Sequence, residues 1–181
     1  MSTVATWGGI GSHQAVGAPL GVGISVDTVF LRRARPADVP AIQALLDEYA
    51  ARGLLFSRPP ELLFRTVREY IVACDETGLV GCAGLRIHSV TTGEVGALAV
   101  AERCHGRGVG RRMVEMLLEE AIVLGLERVF ALTLQERFFH RLGFRTVPLE
   151  AVPEKVAADR IDGIDRSRYP KTTVVLDLVN R

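Results

Sequence analysis

Residues 93–124 read GEVGALAV, then AERCHGRGVG, then RRMVEMLLEEAIVL. Val95 and residues 98–100 are β-prone. In the middle block Gly106, Gly108 and Gly110 alternate with His105, Arg107 and Val109. In the last, Val109, Met113, Met116, Leu117, Ala121 and Leu124 mark one face of an amphipathic helix, and Gly125 suits its close. Strand, glycine turn and helix therefore follow one another directly. Glycines let a backbone turn tightly and approach a ligand, so the amides opening the helix can converge on one anion. Charge argues the same way. A helix N-terminus favours acidic residues in its first turn, yet Arg107, Arg111 and Arg112 crowd this one, with Arg103 just upstream. Cations there are unfavourable unless something negative sits among them, and a phosphate or pyrophosphate is the obvious candidate. The competing reading is a plain strand-to-helix connection with a solvated arginine face. The four features together favour the anion.

Working outward, residues 129–132 form a near-continuous apolar run, as in a strand covered on both faces. With the strand before the glycine turn they make a βαβ unit, which crosses over right-handed. Upstream, residues 70–74 and 80–87 read as a hairpin joined by the turn Asp75-Glu76-Thr77-Gly78. Residues 29–32 suit a first strand. Val39, Ile42, Leu45, Leu46 and Tyr49 mark a helix ending near Gly53, and residues 61–66 a short second one. Downstream, residues 136–142 form a short helix ending at Gly143, residues 150–170 are charged and irregular, and residues 172–178 are a final strand. The expected fold is an α/β domain with one mixed sheet and helices on both faces. It spans residues 27–181, behind a flexible tail at residues 1–26.

At 181 residues the chain is long enough to bury a substantial core as one domain. A net charge of +1 gives no global electrostatic case for nucleic acid or a polybasic membrane surface. No apolar run approaches the ~20 residues of a spanning helix, and the N-terminus does not resemble a signal peptide. Cys74, Cys82 and Cys104 are odd in number and lack metal-ligand spacing, which reads as reduced thiols in a cytoplasmic protein without a metal.

Two separated motifs carry a family resemblance. Leu98-Ala99-Val100, a four-residue spacer and residues 105–111 (HGRGVGR) resemble the coenzyme A signature of the GNAT superfamily of N-acetyltransferases. Residues 138–144 (FFHRLGF) resemble that superfamily's aromatic closing segment. A narrower set is similar to short, single-domain bacterial N-acetylglutamate synthases: Leu54-Leu55, Arg58, Glu61-Leu62, Val80-Gly81-Cys82-Ala83, residues 128–133 (RVFALT), Phe138-Phe139 and Pro153-Glu154-Lys155-Val156. Phe139 stands where many superfamily members carry a proton-donating tyrosine, and phenylalanine is usual there in this narrower group. Gly96 stands where that group carries an arginine suited to a substrate carboxylate.

The resemblance implies a GNAT fold: a central mixed, mostly antiparallel sheet with a splayed strand pair that binds acetyl-CoA. Pantetheine would lie against Leu98, Ala99 and Val100. His105, Gly106, Arg107, Gly108, Val109, Gly110 and Arg111 would take the pyrophosphate, and Phe138 and Phe139 would close the cofactor site. The acceptor would be a small amino acid, L-glutamate above others, at the entry to arginine biosynthesis. Another amine, a protein N-terminus, or a non-catalytic coenzyme A-binding module are the alternatives. The acceptor ammonium needs a base. Glu94 is the first candidate, against a reading as a rim carboxylate, and Glu102 reads as a solvated loop charge. Arg58 and Arg86 are candidates for the acceptor's carboxylates, against a reading as exposed arginines, while Thr133 and Gln135 fall where the sheet ends beside the cleft. His140 reads as a surface or cofactor-edge residue. The sequence leaves room for a homodimer.

Overall fold

The structure is a computed structural model that describes residues 29–161 and 171–178. The tail expected at residues 1–26 lies outside the described residues. Four strands pair antiparallel in chain order: β1 (Phe30–Arg33), β2 (Tyr70–Asp75), β3 (Gly78–Ile87) and β4 (Thr92–Val100). The tight turn between β2 and β3 forms because Asp75 Oδ1 accepts from the Thr77 amide and hydroxyl at 2.8 and 2.7 Å. β5 (Arg128–Thr133) adds parallel to β4, and β7 (Thr172–Asp177) and the edge strand β6 (Arg145–Val147) complete the order β1-β2-β3-β4-β5-β7-β6.

Alternation along β2 assigns the two faces. Tyr70, Val72 and Cys74 meet α1 (Val39–Ala51) and α2 (Pro60–Thr66) through Val39, Ile42, Leu46 and Leu63. Ile71 and Ala73 meet α3 (Val109–Val123), whose Met113, Leu117 and Ala121 are fully buried. The same face receives α4 (Glu136–His140) through Phe139, followed by Leu142 and Phe144. On the α1 face, Val152 packs on Phe130 and Val175 and leads into α5 (Pro153–Ile161).

Residues 150–170 are thus not irregular throughout. Pro153 is preset for a first helical turn and Glu154 favours the helix start, but the polar composition of α5 hides its periodicity. β6 shows no signal either, being three residues long and largely exposed. Among the described residues no helix is long and apolar enough to cross a membrane.

Two irregularities in β4 position the site. The strand pairs with β5 over Thr92, Gly93 and Glu94 alone, opposite Arg128, Val129 and Phe130, after which the strands part. This is the splay that the resemblance implies. β4 also carries one extra residue, since Cys82 pairs with Ala99 but Gly84 with Gly96, and Ala97 takes φ +51°. A bulge of this kind re-aims the side chains that follow it. Val95 faces α3, whereas Ala97 and Ala99 are buried against α1 and α2, and Leu98 and Val100 return to the α3 side.

Candidate active site

A cleft of about 630 Å³ opens where β4 and β5 part. Leu98 and Val100 line one wall, Thr133, Gln135, Phe138 and Phe139 the other. Thr133 Oγ1 accepts from the Gln135 amide at 2.8 Å, fixing the end of β5. Phe139 stacks edge-on against Phe138 and Phe144, 5.1 Å from each, so it is held as packing. Ala99 is buried on the opposite face of the sheet, and its side chain does not reach the cleft.

The glycine turn closes one end of the cleft. Gly106 and Gly108 take φ +74° and +77°, in the left-handed region that glycine occupies without strain. Gly108 caps α3 with no side-chain hydrogen bond, so the first amides of the helix face the cleft without a side-chain cap. His105, Gly106, Gly108, Val109, Gly110 and Arg111 all line it, whereas the Arg107 side chain does not. Arg111 pairs with Glu115 at 2.8 Å, one turn along the helix. Arg103 is turned elsewhere, onto Asp75 and Thr77.

His105 is placed by the sheet. Its Nε2 lies 2.7 Å from the Val100 carbonyl, which fixes the proton on Nε2, and 3.0 Å from the Tyr49 hydroxyl. Tyr49 donates to the same carbonyl at 2.6 Å and sits 3.3 Å from the Val100 amide. Tyr49 is thus a cleft residue as well as a position on the apolar stripe of α1. Glu102 pairs with Arg52 on the surface, and His140 bonds Thr146 at 2.9 Å on an exposed face.

A small hollow of about 10 Å³, room for one water-sized group, adjoins the cleft through Gly96 and Ala97. It brings Arg58, Arg86 and Glu94 together with Glu69, Tyr70 and Gly84. Arg86 reaches Glu69 only at 3.7 Å. Tyr70 is 1% exposed, burial pushes its phenol above the ordinary value, and its hydroxyl has no hydrogen-bond partner among the described residues.

Glu94 is held asymmetrically. Its Oε2 accepts from His88 Nε2 at 2.8 Å and from Lys155 Nζ at 3.1 Å, and Lys155 also meets Asp159 at 3.2 Å. Its Oε1 points the other way, 3.8 Å from where a Cβ on Gly96 would stand. Burial pushes this carboxyl up, but the His88 hydrogen bond and the Lys155 ammonium outweigh it and hold the group at about 2. His88 and Lys155 bear on the site without having been singled out for it. Lys155 belongs to the Pro-Glu-Lys-Val segment, the one signal available. Cys82 is fully buried with Sγ 3.5 Å from the Ala97 carbonyl, and burial pushes its thiol up to about 12, so it is no thiolate nucleophile.

A sheet that parts over a glycine-turned helix start fits an N-acetyltransferase. The chain belongs to the acetyltransferase (GNAT) family, whose profile matches residues 39–144, and it is an acyltransferase. It is 38% identical over 151 residues to the amino-acid acetyltransferase of Mycobacterium tuberculosis, covering 82% of this chain and 84% of that one. It superposes with a TM-score of 0.72 on a Mycobacterium tuberculosis protein solved in complex with CoA, at 31% identity over 82% of this chain and 99% of the other. The TM-score is 0.75, at 28% identity, with the N-acetylglutamate synthase of Neisseria gonorrhoeae solved with coenzyme A and N-acetyl-glutamate. That match covers 83% of this chain and 35% of the longer synthase.

Proposed function

We propose that the protein transfers the acetyl group of acetyl-CoA to the α-amino group of an amino acid, with L-glutamate the leading acceptor. The observation that carries this reading is the hollow joined to the cleft, in which two arginines stand beside the ion-paired Glu94. The CoA-bound relatives support the donor, and the relative with N-acetyl-glutamate supports the acceptor class. Pantetheine lies along Leu98 and Val100. The pyrophosphate takes the amides of residues 106–110, with Arg111 on the cleft wall supplying charge.

The acceptor ammonium is drawn to Glu94 Oε1. A carboxylate held near 2 is a weak base while water reaches it. The bound amino acid closes the hollow, and that further burial raises its proton affinity. Glu94 then takes the proton, directly or through one water, and the freed amine attacks the thioester carbonyl. A backbone N–H near Leu98 donates a hydrogen bond to the oxyanion, an interaction worth roughly 2.7–4 kcal/mol of barrier. The C–S bond breaks, the electron pair leaves on sulfur, and the attacking nitrogen gives up its second proton to solvent. Phe139 has no proton to give, and a thiol of ordinary pKa, ~8.5, departs as thiolate and takes its proton from solvent.

Glutamate acetylation is the entry step of arginine biosynthesis, and a cytoplasmic protein, alone or as a homodimer, suits it. Gly96, in the place of the arginine that the resemblance implies, favours a second reading, another small amine. A panel of amines with detection of released thiol tests the choice. Turnover highest with glutamate is the expected result. No turnover with glutamate or glutamine overturns that acceptor.

A further inference from the structure

The hollow beside Glu94 exists because two side chains are missing. Gly84 and Gly96 face each other across β3 and β4. A Cβ at Gly84 would touch the Tyr70 ring at 3.7 Å and the Glu69 carbonyl at 3.6 Å, while one at Gly96 would meet nothing closer than Glu94 Oε1. The glycine pair therefore leaves the phenolic end of Tyr70 bordering the hollow with no side chain between them. A buried hydroxyl is nearly always hydrogen-bonded, yet this one has no partner among the described residues. It shares the hollow with Arg58, to which no ion pair or hydrogen bond forms among the described residues, and with Arg86, whose contact with Glu69 is long. Glu94, the other acid there, is already neutralised by Lys155. An O–H donor and two guanidinium forks around a space for one oxygen are the donor set of a carboxylate seat.

We propose that Tyr70 is a specificity residue. Its hydroxyl, with Arg58 and Arg86, seats a carboxylate of the acceptor over the Gly84–Gly96 pair and so selects amino acids over amines that lack one. This rests on the reading of the acceptor as an amino acid. One carboxylate oxygen takes the place at Tyr70, and the other faces the arginines.

Tyr70→Phe removes the hydroxyl and keeps the ring. It is compared with the full-length wild type using acetyl-CoA and three acceptors: glutamate, its α-amide, and a matched amine without a carboxylate. The expected result is an amino-acid KM raised about tenfold, the effect of one lost hydrogen bond to a charged group. The preference for glutamate over the carboxylate-free amine falls by the same factor. The acetyl-CoA KM and kcat stay within twofold, and Tm is unchanged or higher, because the hydroxyl is unpartnered among the described residues. An unchanged preference overturns the role of Tyr70 and leaves the amino-acid reading standing, and so does a Tm lowered by many degrees with that preference intact. A wild type that acetylates the carboxylate-free amine as well as glutamate overturns both.

Discussion

At Glu94 the two oxygens face different surroundings: Lys155 and His88 hold Oε2, and Oε1 is turned toward the open space above Gly96. The arginines beside it have a separable role. Replacing Arg58 with Ala removes one fork from the hollow and should raise the amino-acid KM tenfold or more, roughly the worth of a charge-assisted hydrogen bond, while the acetyl-CoA KM hardly moves. Steady-state kinetics with each substrate varied in turn measures the split, and equal effects on both would contradict it. Which residues were legible follows from how each acts. Gly106 and Gly108 show in the sequence because they act through the backbone, where residue type and spacing state the geometry. Tyr70 does not, and Lys155 shows only as a member of the Pro-Glu-Lys-Val segment, because their parts depend on which β4 residue faces them. That facing is set by the pairing of Gly96 with Gly84 and of Glu94 with Phe130, which no periodicity within one strand announces.

Among the elements, α3 was legible almost to the residue. Its apolar face, glycine turn and closing Gly125 each follow from local chemistry, and the parallel β5 follows from the crossover rule. α5 was not, although it supplies Lys155, because a short polar helix docked through a few contacts lacks a readable stripe. The amides opening α3 give a direct test of its role. A Cβ on Gly108 would meet no atom within 4 Å, but φ +77° strains any L-residue by ~1–2 kcal/mol, well within the stability of a domain. Gly108→Glu should therefore fold, with a far-ultraviolet spectrum like the wild type's, and lose acetyl-CoA binding by calorimetry. Its carboxylate would stand at the proposed pyrophosphate site. Unchanged affinity would refute the placement.

For the molecule as a whole, Glu94 ties acid stability to the site. Its folded pKa of about 2 lies below the ordinary 4.5, so its contribution is fully present above pH 4.5 and is lost as pH falls toward 2. A shift of that size corresponds to about 3 kcal/mol. Asp38, bonded by Arg32, and Asp177, held by Arg145 and Arg128, are also lowered and add to the same limb. Denaturation curves from pH 6 to pH 2.5 should show Glu94→Gln less stable than wild type at pH 6, with the gap closing as pH falls. A gap that stays constant over that range would mean that the carboxylate is not ion-paired in solution.

The three-residue join between β4 and β5 has a mechanical consequence. The sheet is two plates, one carrying β1 to β4 and the other β5, β7 and β6, stitched together at one end and covered on one face by α3. Everything beyond Glu94 along that seam is a gap with the outline of a missing strand. A donor laid into it would brace the plates as an added beam does.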